Sequence, residues 1–327
     1  MSKKKSKKKV DIRSSILVLL LIAILLIAST YAWFTANTKV TISSLDVHVD
    51  AQNGIQISAD GTTWKTVLQN EDILPANVTA KYAGNVNQIP TNMEPVSTTG
   101  NVNEGKMDMF YGTVAADATG TWKLTATKET DKQGTEGKYI AFDMFLKIDQ
   151  DKTLTLTENS NVVFNSKLQE KTTGLENAAR VAFVELGHVD TGTDLKTIQG
   201  LKAGTTTYIW EPNYDVHTKD GKQAAFDTYG ITTTETGGSI IPYNGIKAAI
   251  DAGNAQLLNS NDTNYFAPVT PTYSTKQARE DTEVFALKAG ITKFRVYMWI
   301  EGQDVDCENN ASGSDISFNV QFSIPTI

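Results

Sequence analysis

The chain has 327 residues, a single cysteine and a formal net charge of −7 at pH 7. Seven of its 30 lysines and arginines, but only one of its 37 acidic residues, lie in positions 1–13, so this region carries +6 and the remainder carries −13. So acidic a body excludes nucleic acid as a partner, because phosphate binding needs a basic face, and charge does not draw it to anionic membranes. One cysteine cannot form an internal disulfide, so stability must come from a hydrophobic core.

The first predicted element is an export signal or membrane anchor. Residues 1–13 form a basic region, with six lysines in MSKKKSKKK, and are expected to stay in the cytoplasm. Ile16–Ala28 reads ILVLLLIAILLIA, and a basic start followed by an apolar core is the layout of a bacterial export signal. Residues 14–34 together are long enough to cross a bilayer, which takes about 20 residues. Residues 35–327 are therefore predicted to lie outside the cytoplasm, either secreted or at the cell surface.

Two outcomes are open for this segment. In the first, a signal peptidase cuts between Ala32 and Trp33, because small residues precede the bond at the positions that a peptidase reads. In the second, residues 14–34 remain as a transmembrane helix, and Tyr31, Trp33 and Phe34 lie at the lipid–water boundary as an aromatic belt. In both outcomes, the bacterial membrane is the expected partner of the uncleaved chain.

The next elements in the chain are strands, because apolar side chains alternate with a period of two. The strongest alternations are Ile140–Ile148, Phe294–Ile300 and Ile316–Ile324, and weaker ones are Thr121–Thr127, Val162–Asn165 and Ala182–Leu186. Ile316–Ile324 has one apolar and one polar face, as in an antiparallel sandwich. The predicted fold class is therefore all-β, an antiparallel β-sandwich.

Turns and helices are less strongly indicated. GIQISADGTTWKTV predicts a hairpin that turns at Asp60-Gly61. YNGIKAAIDAGNAQLLN, residues 243–259, is weakly helical, since Gly253 lowers its helix propensity, and GLENAA before Arg180 predicts one helical turn. Residues 187–282 are rich in loops and are interpreted as insertions in one sandwich, with a separate small domain as the alternative.

The junction between the apolar run and the strands carries a resemblance. Thr30-Tyr31-Ala32 is followed by Trp33-Phe34 and TKVTISSLDV, behind a lysine-rich start. This layout resembles the TasA/camelysin family of exported Gram-positive proteins that form biofilm matrix fibres, specifically over residues 1–50 and only in architecture beyond them. The resemblance implies a jelly-roll sandwich, cleavage by a dedicated signal peptidase, and homo-oligomeric fibres in which the freed N-terminus donates a strand to a neighbour.

The strand that follows the junction changes phase. Val40 and Ile42 share one face, whereas Leu45 and Val47 share the other, so a break is predicted near Ser43-Ser44. We interpret the break as a boundary, with Leu45 starting the protein's own sandwich.

The segment before the break is then a candidate donor strand. Residues 33–42 would add to a sheet edge of the next subunit by β-augmentation. Its predicted anchors are Trp33, Phe34, Val40 and Ile42, because large apolar side chains dominate such interfaces. The alternative is that Trp33 and Phe34 only mark the membrane boundary.

A dense acidic loop, IEGQDVDCENN, separates the last two strong strands. Glu301, Asp304 and Asp306 are weak candidates for a calcium site, because neighbouring carboxylates repel unless a cation intervenes and calcium prefers oxygen ligands. A solvated hairpin tip is the favoured alternative. Cys307 is open to three interpretations: a small buried residue, an intermolecular crosslink or a reactive thiol.

Catalytic chemistry is not indicated. His217 lies in WEPNYDVHTKDG, whose spacing does not match a calcium loop and favours a polar turn. No histidine neighbours Cys307 in the sequence, and the usual nucleophile, metal-protease and phosphate-binding motifs do not occur. We therefore predict no catalytic residues and no cofactor besides the weak calcium candidate. The predicted function is an exported structural surface or matrix protein, and the alternative is a membrane-anchored adhesin that binds a glycan or protein.

Overall fold

The computed structural model describes residues 40–49, 54–73, 82, 84–164, 173–258, 260–308, 313 and 315–324. The strands in this part of the chain are β1 (Val40–Val49), β2 (Gln56–Ser58), β3 (Val67–Gln69), β4 (Asn87–Gln88), β5 (Asn92–Met93), β6 (Val96–Ser97), β7 (Val102–Asn103), β8 (Lys106–Met107), β9 (Met109–Ala116), β10 (Trp122–Glu129), β11 (Gln133–Gly134), β12 (Ile140–Ile148), β13 (Lys152–Leu156), β14 (Asn161–Phe164), β15 (Ala179–Val189), β16 (Thr206–Glu211), β17 (Tyr243–Ile246), β18 (Gln256–Leu257), β19 (Phe266–Val269), β20 (Thr272–Tyr273), β21 (Thr282–Leu287), β22 (Gly290–Ile300) and β23 (Asp315–Ser323). The helices are α1 (Asn70–Ile73), α2 (Leu195–Gln199) and α3 (Lys219–Tyr229), with 3-10 turns at Leu175–Ala178 and Ala252–Asn254.

Two large sheets share the main hydrophobic core. Sheet A has the order β21-β13-β23-β1-β3, with β14 also paired to β23 and β5 to β1. Sheet B has the order β11-β4-β12-β22-β15-β16-β20, with β2 also paired to β12. Phe318 and Phe322 of sheet A and Phe183, Phe294 and Val296 of sheet B belong to one buried cluster. The sheets therefore pack face to face. Strands make up 45% and helices 11% of the described residues, so the predicted all-β class is confirmed for this part of the chain.

A third layer covers the other face of sheet B. It comprises a four-stranded sheet, β18-β10-β9-β6, and a second buried cluster in which Met107 and Met109 pack on Tyr297 and Trp299. Because of this layer, all residues of β22 are buried rather than alternate ones. In β23 only one face is covered, and the predicted alternation of buried and half-exposed residues is confirmed.

The predicted break in β1 is present as a bulge. β1 runs parallel to β23 with Ile42 opposite Ile316 and Ser44 opposite Ser317, so Ser43 is an extra residue. The interpretation of this break as the boundary of the sandwich is wrong, because β1 pairs with the same strand on both sides of it. On its other edge β1 pairs with β5 and β3, so it is an internal strand of sheet A.

The hairpin predicted around Asp60-Gly61 is only partly formed. Ile57 and Lys65 exchange backbone hydrogen bonds of 2.9 and 2.8 Å, but the arms then diverge, β2 joining β12 and β3 joining β1. The connection is a wider loop in which the Asp60 carboxylate accepts from the backbone N–H groups of Thr62 and Thr63 at 2.7 and 2.8 Å. A carboxylate that satisfies several loop amides stabilises such a turn.

The weak helix prediction for residues 243–259 is wrong. The segment forms β17, a 3-10 turn and β18, and Ile246 and Ile250 pack against Phe266 in a third buried cluster. Gly245 lies so close to the Thr98 carbonyl oxygen that a Cβ at this position would overlap it. Contact with a remote segment thus decides the local structure, whereas the turn predicted in GLENAA is confirmed at Leu175–Ala178.

The longest helix in the described part of the chain, α3, begins inside the motif WEPNYDVHTKDG and was not predicted from the sequence. Thr218 caps its start by accepting a 2.8 Å hydrogen bond from the Gly221 N–H, and Gly230 ends it with φ 69°. α3 belongs to the 187–282 stretch, which also supplies β16 and β20 to sheet B and β18 to the third layer. This stretch is therefore built into the sheets formed by the rest of the chain.

No helix among the described residues is long and apolar enough to cross a membrane. The predicted export segment, residues 1–34, lies outside the described residues.

β1 and β23 both begin at one end of the sandwich, where Thr41 lies opposite Asp315. The end of β22 and the start of β15 lie there too, with Ala179 opposite Ile300. We call this the proximal end, because the N-terminal segment joins the body there.

The Asn213 side chain ties the two sheets together at the proximal end. Its amide donates to the carbonyl oxygen of Val162 in sheet A at 3.0 Å and to that of Glu176, just before β15, at 2.9 Å. The opposite end, which we call the distal end, is where β22 begins at Gly290 and β23 ends at Ser323.

Candidate functional site

The predicted cleavage and donor residues divide into two groups. Ala32, Trp33 and Phe34 lie outside the described residues. Val40 and Ile42 lie in β1, where Val40 is opposite Met93 of β5 and Ile42 is opposite Ile316 of β23. The two described donor-strand residues are thus paired within their own sheet, and their donation to a neighbour remains a prediction.

The acidic loop is buried, and the expectation of a solvated hairpin tip is wrong. Glu301, Asp304, Asp306 and Glu308 are 0%, 7%, 2% and 6% exposed. Loop 301–308 folds back over the proximal end and places these side chains among residues from β15, β16 and the turn before α3. Buried carboxylates must be paired or hydrogen-bonded, so each one requires a partner.

Arg180 is the central partner. This fully buried side chain, the second residue of β15, approaches Asp304 Oδ2 at 2.5 Å and Glu211 Oε2 at 2.9 Å. Its guanidinium also donates to the carbonyl oxygens of Asn177 and Ala179 at 3.3 and 3.0 Å. The guanidinium carbon lies 5.2 Å from the ring centre of Tyr243, within cation–π range. One arginine therefore compensates carboxylates from β16 and from loop 301–308.

Asp306 forms the second part of the network, with His217. Asp306 Oδ2 lies 2.9 Å from His217 Nδ1, and His217 Nε2 lies 3.2 Å from the Ser239 carbonyl oxygen. Since both ring nitrogens face acceptors, the doubly protonated imidazolium fits this geometry. Burial lowers the pKa of His217, but hydrogen bonding to Asp306 and the charges of Asp306 and Asp304 outweigh it and raise that pKa.

Asp306 also fixes the start of α3. Its Oδ1 accepts a 2.7 Å hydrogen bond from the N–H of Thr218, the residue that caps this helix. Gly221 allows this approach, because a Cβ there would overlap the carboxylate. A negative charge at the start of a helix is favourable, since the unpaired N–H groups carry partial positive charge. The loop therefore holds α3 against the proximal end.

Glu301 is satisfied differently. It accepts from the indole N–H of Trp299 at 3.0 Å and from the N–H of Gln303 at 3.1 Å. Burial raises the pKa of Glu301 to about 7, although these donors oppose the shift. Burial likewise raises the pKa of Glu211 to about 8, with Arg180 opposing it.

These shifts predict that the protein loses stability as the pH rises. A group whose pKa is higher in the folded than in the unfolded state stabilises fully below its unfolded pKa, and this contribution disappears as the pH passes the folded pKa. Glu301, with an ordinary pKa of 4.5 and a folded one of about 7, contributes on the order of 3 kcal/mol. Glu211 and His217 act in the same direction, so urea unfolding should give a lower free energy of unfolding at pH 8.5 than at pH 5.

The variant Glu301→Gln is the control, because an amide resembles the protonated carboxyl. Its unfolding free energy should fall less between pH 5 and pH 8.5 than that of the unmodified protein. Parallel curves for the two proteins would contradict the assignment to Glu301.

The three calcium candidates are engaged with protein groups, and calcium binding stays a prediction. Glu301, Asp304 and Asp306 each face a different protein donor, and no group of three or more His, Cys, Asp or Glu among the described residues could hold a metal ion. The repulsion that suggested a cation is compensated instead by Arg180 and His217.

Cys307 belongs to the main core. Its side chain is fully buried, and burial raises the pKa of its thiol well above the usual value. Because the thiolate is the reactive form, the interpretation as a small buried residue holds, and those as a reactive thiol or crosslink do not apply to the folded chain.

A second buried network lies on the other face of sheet B, and the sequence analysis did not identify it. Asp143 on β12 accepts from Arg295 Nε at 2.7 Å and from the Tyr82 hydroxyl at 2.6 Å, and Lys293 Nζ lies 3.2 Å away. Asp143 and Arg295 are directly opposite in the β12–β22 register. This network fixes the third layer on sheet B, because Arg295 also donates to the Gly105 carbonyl oxygen at 3.0 Å.

Comparison with protein-family models, with curated proteins and with solved structures gave no significant match for this chain.

Proposed function

We propose that this protein is an exported structural protein of the cell surface or biofilm matrix, which assembles into fibres through its N-terminal segment. The carrying observation is the path of the chain: a lysine-rich start and an apolar run lead, through residues 35–39, directly into β1, an internal strand of sheet A. A membrane anchor or a cleavage at residues 32–33 therefore lies only a few residues before an internal strand of the sandwich. The resemblance to matrix fibre proteins at this junction supports the same role.

The sandwich is suited to such a role. Two sheets packed face to face, with a third layer on sheet B, bury a large core in a chain whose single cysteine cannot form an internal disulfide. The jelly-roll connectivity expected from the resemblance is part of this proposal, and the face-to-face packing of mostly antiparallel strands supports it. Assembly would use residues 33–39, which precede β1, with Trp33 and Phe34 as anchors at the next subunit.

Cleavage between Ala32 and Trp33 is the first expected result. Protein recovered from the culture medium should have the intact mass of a chain whose first residue is Trp33, because the peptidase removes the segment that retains the chain in the membrane. Protein that begins at Met1 and is found only in the membrane fraction would favour the anchored form.

Assembly is tested on the body that begins at Trp33. Sedimentation and electron microscopy should show fibres, and replacement of Trp33 and Phe34 by serine should leave monomers. A body beginning at Thr35 is the matched control, because it keeps β1 complete. If all three proteins remain monomeric, or all polymerise alike, strand donation is wrong.

A membrane-anchored adhesin is the second candidate, and a cleft at the distal end favours it. The cleft has a volume of about 490 Å³ and is lined by the β12–β13 and β21–β22 connections and by Ile324. Asp151 and Lys288 form an exposed ion pair of 2.5 Å at its edge, and Leu287 adds an apolar wall. Such a cleft points away from the membrane when the chain is tethered at its proximal end. Loss of glycan or protein binding in Lys288→Ala, with unchanged folding, would support this candidate.

A further inference from the structure

We propose that the outer face of α3 rests on the phospholipid surface while the chain is tethered by its N-terminal segment. This inference rests on the proposed function, since it requires the export segment to remain in the membrane before cleavage. It names the surface of the body that meets the lipid and the chemistry of that contact.

The length of the connection supports it. Only residues 35–39 separate Phe34, at the end of the predicted membrane segment, from Val40, where β1 begins. The six Cα–Cα steps from Phe34 to Val40 span at most about 22 Å when extended. The proximal end therefore lies within this distance of the lipid–water boundary for as long as residues 14–34 remain in the bilayer.

α3 covers the proximal end. Its inner side, Ala224 and Ala225, packs on Val305 of loop 301–308, and its first turn is fixed by the bond from the Thr218 N–H to Asp306. The loop lies between the sandwich and the helix, so the other side of α3 faces away from the body.

Large apolar side chains are exposed near that outer side, beside the polar pair Gln223 and Asp227. Phe226 and Tyr229 are 56% and 37% exposed, and Ile240, which adjoins the Ile241 that packs beside α3, is 42% exposed. They are three of the five exposed large hydrophobic residues in the described part of the chain. Their concentration at one place distinguishes them from the scattered apolar residues that any surface carries.

The helix spacing and charge fit a lipid surface. Lys222 precedes Phe226 by four residues and Tyr229 follows it by three, so all three lie on one side of α3. Aromatic rings favour the headgroup region of a bilayer, where one part of the ring is apolar and another is wet. Lys219, one turn before Lys222, can reach lipid phosphates with its flexible stem, whereas Lys222 is paired with Glu235 at 3.3 Å.

The test uses the full chain in vesicles of phosphatidylcholine and phosphatidylglycerol, with an environment-sensitive fluorophore on Phe226→Cys. Leu195→Cys is the matched control, because Leu195 is 40% exposed and belongs to α2, which packs on β22 near Lys293, toward the distal end. The natural Cys307 is fully buried, so unmodified protein gives the labelling background.

Flotation of the vesicles first checks that the chain is anchored. The label at position 226 should then shift its emission to shorter wavelength and lose intensity with brominated lipid, whereas the label at 195 should do neither. Equal responses at the two positions, or none at 226, would overturn the docking of α3. A shift at 226 without quenching would mean that a second copy covers this face, which also overturns it. A chain that does not float would instead refute the membrane anchor itself, and with it this inference.

Discussion

Replacing Arg180 by methionine should lower the free energy of unfolding at pH 8 by about 3–5 kcal/mol, the usual cost of removing one partner from a buried ion pair. The substitution leaves Glu211 and Asp304 buried without their cation. The loss should shrink at pH 5, because burial raises the pKa of Glu211 to about 8, so that this carboxyl is protonated at pH 5 and no longer needs the missing cation. Urea unfolding at both pH values measures it.

Two further variants make this result specific. Lys288→Met removes a cation from the exposed pair with Asp151 and should leave stability nearly unchanged, because solvent screens that pair. Adding Glu211→Gln to Arg180→Met should restore part of the lost stability, since it removes one uncompensated charge. An equal loss for Arg180→Met at pH 5 and pH 8 would show that packing rather than charge explains the effect.

Replacing Val47 by proline should have the second large effect. Val47 lies in the middle of β1, opposite Val320 on one side and Leu68 on the other. Proline removes the backbone N–H and is not accommodated in a central strand, so we expect a loss of at least about 1–3 kcal/mol, the cost of leaving a buried hydrogen-bond partner unsatisfied. Thermal unfolding of the body that begins at Thr35 measures the change without the assembly segment.

Val47→Thr is the matched control, because it keeps the backbone N–H and the branched side chain. If proline leaves the monomer as stable as threonine does but abolishes assembly, β1 would belong to a neighbour's sheet in solution rather than to its own. A body beginning at Leu45 would not be a suitable control for strand donation, because the deletion shortens β1 itself. Such a body lacks Val40–Ser44 and therefore loses the pairing with β5 as well as the donor segment.

The sequence predicted those elements whose signal is local. The alternation in Ile316–Ile324 is visible without any other part of the chain, and β23 has the expected faces. The same pattern could not show that β12 and β22 are covered on both faces, because the covering layer comes from residues distant in sequence. α3 was not predicted because Gly221, in its first turn, is a residue typical of turns. The structure requires a glycine there, since a Cβ would overlap the Asp306 carboxylate.

The buried ion-pair network between loop 301–308, Arg180 and His217 could be predicted only in part, for a similar reason. The acidic residues of loop 301–308 stand out in the sequence, where Glu301, Asp304 and Asp306 are candidate calcium ligands. Their compensating charges come from Arg180 and from His217, which is 89 residues away from Asp306. A lone arginine in RVAFVEL carries no sign of such a role, and the carboxylates alone therefore suggested either solvent or calcium.

The parallel pairing of β1 with β23 has a consequence for export. Thr41 finds its partner Asp315 only after nearly the whole chain has been synthesised. Contacts between such distant parts of a chain form slowly, because a long loop must close before they contribute any stability. Sheet A therefore cannot be completed before β23 has been synthesised. On the proposed export route, this order of strands delays the completion of sheet A until β23 has also crossed the membrane.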